Sequence, residues 1–326
     1  MAADRRIVGN LSPGDDYTHP LGPESSFNES MYFNFFDRHR GVGGFVRLGN
    51  RANEGRAEMT VTVYLPDGRV LFNFGRPAID NNDSFDAGGM QFEVLCPGQR
   101  LRTTYNGPVV ELDEPRQMSD PKRAFADNPM RRLVLDLVHE AVGPMYGSAG
   151  GSKEDKLPDD QQFAKAHYEQ HMKVSGSLVL GDETIAIDGH GLRDHSWGPR
   201  YWQAIEGYEW LTMNFGDDLG AMVSIVRRGP DDVKIGGVIV EGDNVDPVVA
   251  VTLEADYEDN GLYHRGLRVK LTTGSGRKLD ISGKVRGFIP LRNRRGGMTT
   301  HIGEGMTQWT MEGRSGYGLS EFLRQV

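Results

Sequence analysis

Short runs of alternating apolar and polar residues recur along the chain, each bounded by glycine or another turn former. That is the pattern of antiparallel sheet with tight turns. Residues 45–48 and 57–64 alternate in this way, Pro66-Asp67-Gly68 is a turn signal, and 70–74 returns as the next strand. Residues 90–95 and 101–105 flank Pro97-Gly98 as another hairpin. After His167 the same cadence runs through 177–180, 184–187, 206–215, 221–227, 233–240, 248–254, 266–272 and 279–285. Regularly spaced short strands of this kind predict an all-β chain of barrels or sandwiches.

The rhythm breaks over residues 115–163. This stretch holds Pro115, Pro121, Pro129, Pro144 and Pro158, a Gly/Ser-rich run at 147–152 and the charged run 153–156. It predicts a long loop insertion with a short helix over 130–139. The insertion reads as a solvated excursion, with a lid or partner contact as the alternative.

Composition narrows the classes of function. With 326 residues, 37% hydrophobic and 25% charged, the chain can bury a core or two, and disorder is not indicated. A formal net charge of −9 argues against nucleic acid and anionic membrane as partners. The one cysteine, Cys96, rules out an intramolecular disulfide and a zinc site of several thiolates. The start carries no secretory-type apolar run, and no stretch has the length of a membrane span, so a cytoplasmic protein is expected. The expected partner is a small hydrophobic molecule, and a homodimer is compatible with the sequence. Neither a phosphate loop nor a nucleophile elbow occurs, and Gly189-His190-Gly191 lacks the rest of a dinucleotide fingerprint. Neither a cofactor nor a metal is expected.

Chemistry concentrates in residues 189–202, where two histidines, an aspartate, two arginines and three aromatics lie close together. Asp194 and His195 can shuttle protons, and Trp197 can stabilise a developing cation. The alternative is a strand whose aromatics are core and whose polar groups tie down backbone. In a regular strand Arg193, His195 and Trp197 share one face and Leu192, Asp194 and Ser196 the other. We expect His195 and Trp197 to look into a ligand cavity inside a barrel; the opposite assignment stays open. By the same alternation Trp202, Glu206, Tyr208 and Trp210 share a face, as an aromatic wall with Glu206 as a second proton carrier. The candidate catalytic residues are therefore Asp194, His195 and Glu206, and the candidate substrate-binding residues Arg193, Trp197, Trp202, Tyr208 and Trp210. His167, Glu169 and His171, at period two, form a weaker set that could ligate zinc, iron or manganese. The basic stretch 286–297 reads as a charged hairpin.

Gly189-x-Gly191-x-x-Asp194-His195-x-Trp197-Gly198 resembles the G-x-G-Y-x-D-H-x-W-G signature of the carotenoid 1,2-hydratase (hydroxyneurosporene synthase) superfamily. Tocopherol cyclases and fungal Diels–Alderases are more distant relatives in that grouping. Residues 27–33 and 313–318 resemble the opening and ending of an uncharacterised bacterial branch. The resemblance implies two tandem lipocalin-like antiparallel β-barrels, an N-terminal one over 1–199 with the insertion at about 115–163 and a C-terminal one over 200–326. It also implies cofactor-independent acid–base chemistry at a carbon–carbon double bond, as a hydratase-type lyase or an isomerase or cyclase. The substrate class would be a hydrophobic terpenoid, steroid, polyketide or aromatic molecule. Leu192 stands where the signature has tyrosine, so carotenoid hydration does not carry over. The alternative is a non-catalytic lipocalin-like protein that binds an apolar ligand.

Overall fold

The computed structural model describes residues 7–150, 165–295 and 297–325. The first twelve strands form one sheet. In chain order they are β1 (Ile7–Gly9), β2 (Phe27–Asp37), β3 (Val42–Arg51), β4 (Arg56–Tyr64), β5 (Val70–Gly75), β6 (Phe85–Ala87), β7 (Met90–Cys96), β8 (Arg100–Leu112), β9 (Met130–Ala141), β10 (Met145–Ser148), β11 (Ala166–Leu180) and β12 (Glu183–Pro199). Their spatial order is β1-β10-β11-β12-β2-β3-β4-β5-β8-β7-β6, and β9 pairs with both β8 and β11, which bends the sheet back around its own core.

The remaining strands form a closed antiparallel barrel in sequential order. They are β13 (Gly207–Asn214), β14 (Leu219–Gly229), β15 (Asp232–Glu241), β16 (Asn244–Tyr257), β17 (His264–Thr273), β18 (Lys278–Arg295), β19 (Met298–Met311) and β20 (Arg314–Gln325). No helix among the described residues is long and apolar enough to cross a membrane.

The insertion departs from expectation. Residues 130–139 belong to strand β9, not to a helix: Leu133, Leu135, Leu137 and His139 are buried and the residues between them less so, a period of two. The helical residues lie just before it, in a 3-10 turn at Pro115–Ser119 and in α1 (Pro121–Asp127), where each proline takes an early position that needs no N–H. Residues 151–163 of the expected loop lie outside the described residues.

Two interiors and one shared layer account for the apolar residues. Met31, Phe33, Phe35, Val46, Leu48, Leu135 and Leu137 fill the inside of the first sheet. Leu211, Met213, Val223, Ile225, Trp309 and Phe322 fill the barrel. Tyr32, Phe36, Phe45, Tyr64 and Phe72 point the other way, and pack with Ile289, Met306 and Leu319 of the barrel's outer face. Every residue of β2 is therefore buried, because both its faces are covered. The two units are also pinned by polar links: Tyr64 Oη donates to the Glu304 carbonyl (3.0 Å), Asn34 Nδ2 to Thr212 Oγ1 (3.2 Å), and His171 Nδ1 meets Asn214 Oδ1 (2.8 Å).

Candidate active site

A cavity of about 650 Å³ lies in the layer between the two sheets. Its walls are outward-facing residues of both, because the interior of each is already filled with side chains. This corrects the expectation of a ligand cavity inside a barrel. Phe45, Phe72, Phe74, Met118, Phe125 and Leu291 line it on the apolar side, and Tyr208, Trp210, Glu304 and Glu321 of the barrel face Asp194, His167 and Glu169 of the first sheet.

Strand β12 shows its two faces to different surroundings. Asp194 points into the cavity, whereas Arg193, His195 and Trp197 point into the interior of the first sheet and do not line it. That reverses the expected orientation of His195 and Trp197. Their side chains hold together an interior network reaching back to the start of the chain. Arg193 Nη1 donates to Asp16 Oδ1 (2.5 Å), and Tyr168 Oη and the Gly98 N–H donate to the same carboxylate, each at 2.5 Å. His195 Nε2 lies 3.0 Å from Glu29 Oε1, which His19 Nδ1 also meets at 2.7 Å, and the His19 ring stacks on Trp197 at 3.8 Å. Burial pushes the Glu29 carboxyl up, but the hydrogen bonds from His19 and His195 outweigh it and bring it to about 2. The glycines of the signature have a steric reason. A Cβ on Gly191 would sit 1.8 Å from the Asn34 carbonyl oxygen, and one on Gly189 2.2 Å from that of Phe36, so only glycine lets β12 lie so close to β2.

On the cavity side, Glu169 and Asp194 sit directly opposite each other across β11 and β12. His167 Nε2 pairs with Asp194 Oδ2 and lies 3.7 Å from Glu169 Oε1. Trp210 Nε1 donates to Glu169 Oε1 at 2.8 Å, and Glu169 Oε2 is buried. The environment drives the two carboxyls apart. Burial would raise Asp194, but the His167 charge and hydrogen bond overcome it and hold Asp194 below the usual carboxylate range. Burial likewise lowers His167, yet Asp194 lifts it to about 9. Glu169 gets less from His167, and burial with the Asp194 charge pushes it up to about 7. Near neutral pH one carboxyl is thus ionised while its neighbour is still in the course of titrating.

A second carboxyl pair faces them from the barrel. Glu304 and Glu321 are direct neighbours across β19 and β20. Burial and the Glu321 charge raise Glu304 well above its ordinary value, and Glu321, to which Tyr208 Oη donates, is pushed up to about 7.

The other sequence candidates divide. Tyr208 and Trp210 line the cavity from β13, and Trp202 does so from a 3-10 turn at Trp202–Ala204. That turn breaks the alternation assumed from Trp202 onward, and Glu206 is exposed and lies off the cavity lining. His171 shares its strand face with His167 and Glu169 but packs against Asn214, so the side-chain group able to hold a metal is His167, Glu169 and Asp194. A second such group, His19, Glu29 and His195, already uses its ring nitrogens and carboxylate oxygens on one another.

The family described as a domain of unknown function, DUF7064, matches residues 12–326. The chain belongs to that family. No curated protein matches it. Among solved structures, an AttH candidate from Nitrosomonas europaea is similar over 93% of this DUF7064 chain and 97% of that one, at 15% identity and a TM-score of 0.61. Kievitone hydratase from Nectria haematococca is similar over 98% and 96%, at 14% identity and a TM-score of 0.58. CghA bound to Sch210972 is similar over 98% and 97%, at 11% identity and a TM-score of 0.56. At these identities the likeness is one of fold. Within the DUF7064 chain, sequence reasoning weighed Glu169 only as a metal ligand and did not consider Glu304 or Glu321. A glutamate at period two beside apolar strand residues was the available signal, present at Gly303-Glu304-Gly305 and Ser320-Glu321-Phe322.

Proposed function

We propose that this chain is a cofactor-independent enzyme that moves protons at a carbon–carbon double bond of a small hydrophobic substrate, as a hydratase-type lyase or an isomerase or cyclase. The observation that carries the reading is the Glu169–Asp194 pair, two carboxyls side by side across β11 and β12 in an apolar cleft with aromatic walls, whose surroundings push their proton affinities in opposite directions. The same reading takes the first sheet, bent round by β9, as a lipocalin-like barrel in tandem with the second, divided near residue 200.

In the proposed reaction the Glu169 Oε2 proton passes to one alkene carbon, and positive charge develops on the other. The faces of Trp210 and Tyr208 and the Asp194 carboxylate stabilise that charge. For isomerisation or cyclisation the Glu169 carboxylate then takes a proton from a neighbouring carbon. For hydration a water adds to the cation and gives its proton back to Glu169. Either route returns the enzyme to its starting protonation. In this reading Asp194 acts as the ionised partner of Glu169, while Arg193, His195 and Trp197 act as positioning residues that hold β12 in register.

The test is incubation in D2O with a panel of terpenoid and phenylpropanoid alkenes, read by mass spectrometry for deuterium or added water. The rate should fall as pH rises through about 7, where Glu169 loses its proton. Glu169→Gln and Asp194→Asn should each lower it by about 100-fold or more. Ligand retention without conversion by any panel member, or full rates in both variants, would refute the assignment and leave a binding protein.

A further inference from the structure

The barrel wall of the cleft carries a buried acceptor that the fold does not use. Neighbouring strands β18, β19 and β20 set Ile289, then Ile302, Glu304 and Met306, then Leu319 and Glu321, on one face in register. Ile289, Met306 and Leu319 belong to the apolar layer between the two sheets, and the two glutamates stand side by side within that patch. Glu321 has a partner, because Tyr208 Oη donates to it.

Glu304 has none. The residue is 5% exposed, and its Oε2 is buried and meets no donor among the described residues. Tyr64 Oη donates to the Glu304 main-chain carbonyl at 3.0 Å, so the link between the two sheets uses the backbone of this residue and not its carboxyl. A buried acceptor without a donor destabilises the fold, and Ile302 and Met306 on either side show that an apolar residue suits this face. Because Glu304 also lines the cleft, a bound molecule can supply the missing donor.

We propose that the substrate carries a hydroxyl group, alcoholic or phenolic, on its apolar body, and that Glu304 binds it. This rests on the cleft being the substrate site, and names the class of molecule it takes. A hydroxyl both donates and accepts, so it pairs with a carboxyl in either protonation state. An ammonium pairs only with the ionised form, and would have to shed its water against Ile302 and Met306. Trp210, whose indole reaches Glu169, is the cross-strand neighbour of Glu321, and Glu304 is one strand further on. Two strand spacings, about 10 Å, therefore separate Trp210 from Glu304 along the sheet. The hydroxyl is thus held away from the double bond that Glu169 acts on, and it orients the molecule without reacting.

Equilibrium dialysis of the full chain at pH 7 against three probes separates this inference from the reading beneath it. The probes are 2-naphthol, naphthalene and 2-naphthylmethylamine, which is a cation at that pH. The naphthol should bind about tenfold more tightly than naphthalene although it is the more polar of the two. Glu304→Leu should remove about that factor from the naphthol and change naphthalene by less than about twofold. If Glu304→Leu does not fold, Glu304→Met is read in the same way. Equal affinity for naphthol and naphthalene, or a preference that survives in the variant, overturns the hydroxyl site and leaves the apolar cleft standing. Tighter binding of the amine than of the naphthol overturns the hydroxyl as the group recognised. Failure of all three probes to bind overturns the cleft and the proposed function with it.

Discussion

Replacing Asp16 by Asn tests whether Arg193 is an anchor or a substrate contact. Asp16 and Arg193 have side chains that are 0% exposed, and Arg193 Nη1 reaches Asp16 Oδ1 at 2.5 Å. The other donors of that guanidinium go to Gln170 Oε1, at 2.9 and 2.6 Å, to Tyr168 Oη at 2.9 Å and to Met145 Sδ at 3.8 Å, all uncharged partners. The substitution therefore leaves a fully buried cation with neutral partners, and such a break costs about 3–5 kcal/mol. That is a large part of the roughly 5–15 kcal/mol that stabilises a typical domain. Burial opposes the Asp16 charge, but the coulombic attraction and hydrogen bond of Arg193 hold its carboxyl below 3.8. The stabilisation it supplies is thus complete above the unfolded value and is lost as pH falls through the lower folded value. Urea unfolding at pH 7, followed by tryptophan fluorescence, should show the full loss for Asp16→Asn, and the gap to the native sequence should narrow as pH drops below about 4. An exposed control, Asp280→Asn, should change little. A loss below about 1 kcal/mol at pH 7 would refute the reasoning. A raised KM with unchanged stability would instead make Arg193 a substrate contact.

Two further substitutions probe the site and the strand that carries it. Glu169 ionises through about 4.5 when unfolded and about 7 when folded, so its charge destabilises the fold by about 3 kcal/mol once pH exceeds both. Glu169→Gln should therefore raise the Tm at pH 8 and nearly match the native sequence at pH 5; a lower Tm at both would argue against a protonated Glu169. Gly191→Ala puts a methyl group into the Asn34 carbonyl and should cost about 1–3 kcal/mol or prevent folding, whereas Gly229→Ala enters open space and should leave the Tm unchanged. Equal tolerance of the two by thermal unfolding would show that the close approach of β12 to β2 is not needed.

Much of the fold was legible because strand alternation is a local property. A side chain's face depends on whether its position is odd or even, so Arg193, His195 and Trp197 were placed together and Asp194 apart before any contact was known. The same rule failed at Trp202, where one 3-10 turn resets the phase and leaves Glu206 exposed. It was overlooked at residues 130–139, whose leucines repeat at two although proline and glycine nearby suggested a loop.

The sequence by itself determined the all-β class, the strand pairs joined by tight turns, and the segment around Asp194 where polar groups crowd. Which face of β12 meets ligand was decided only by tertiary structure, because both faces are buried and alternation cannot tell an interior from an interface. Asp16, His19 and Glu29 enclose one face across more than a hundred residues of chain, and Tyr208, Trp210, Glu304 and Glu321 oppose the other from a separate barrel. The raised Glu169 carboxyl is likewise a tertiary property: its protonation depends on how much water the second barrel excludes and on the charge left beside it.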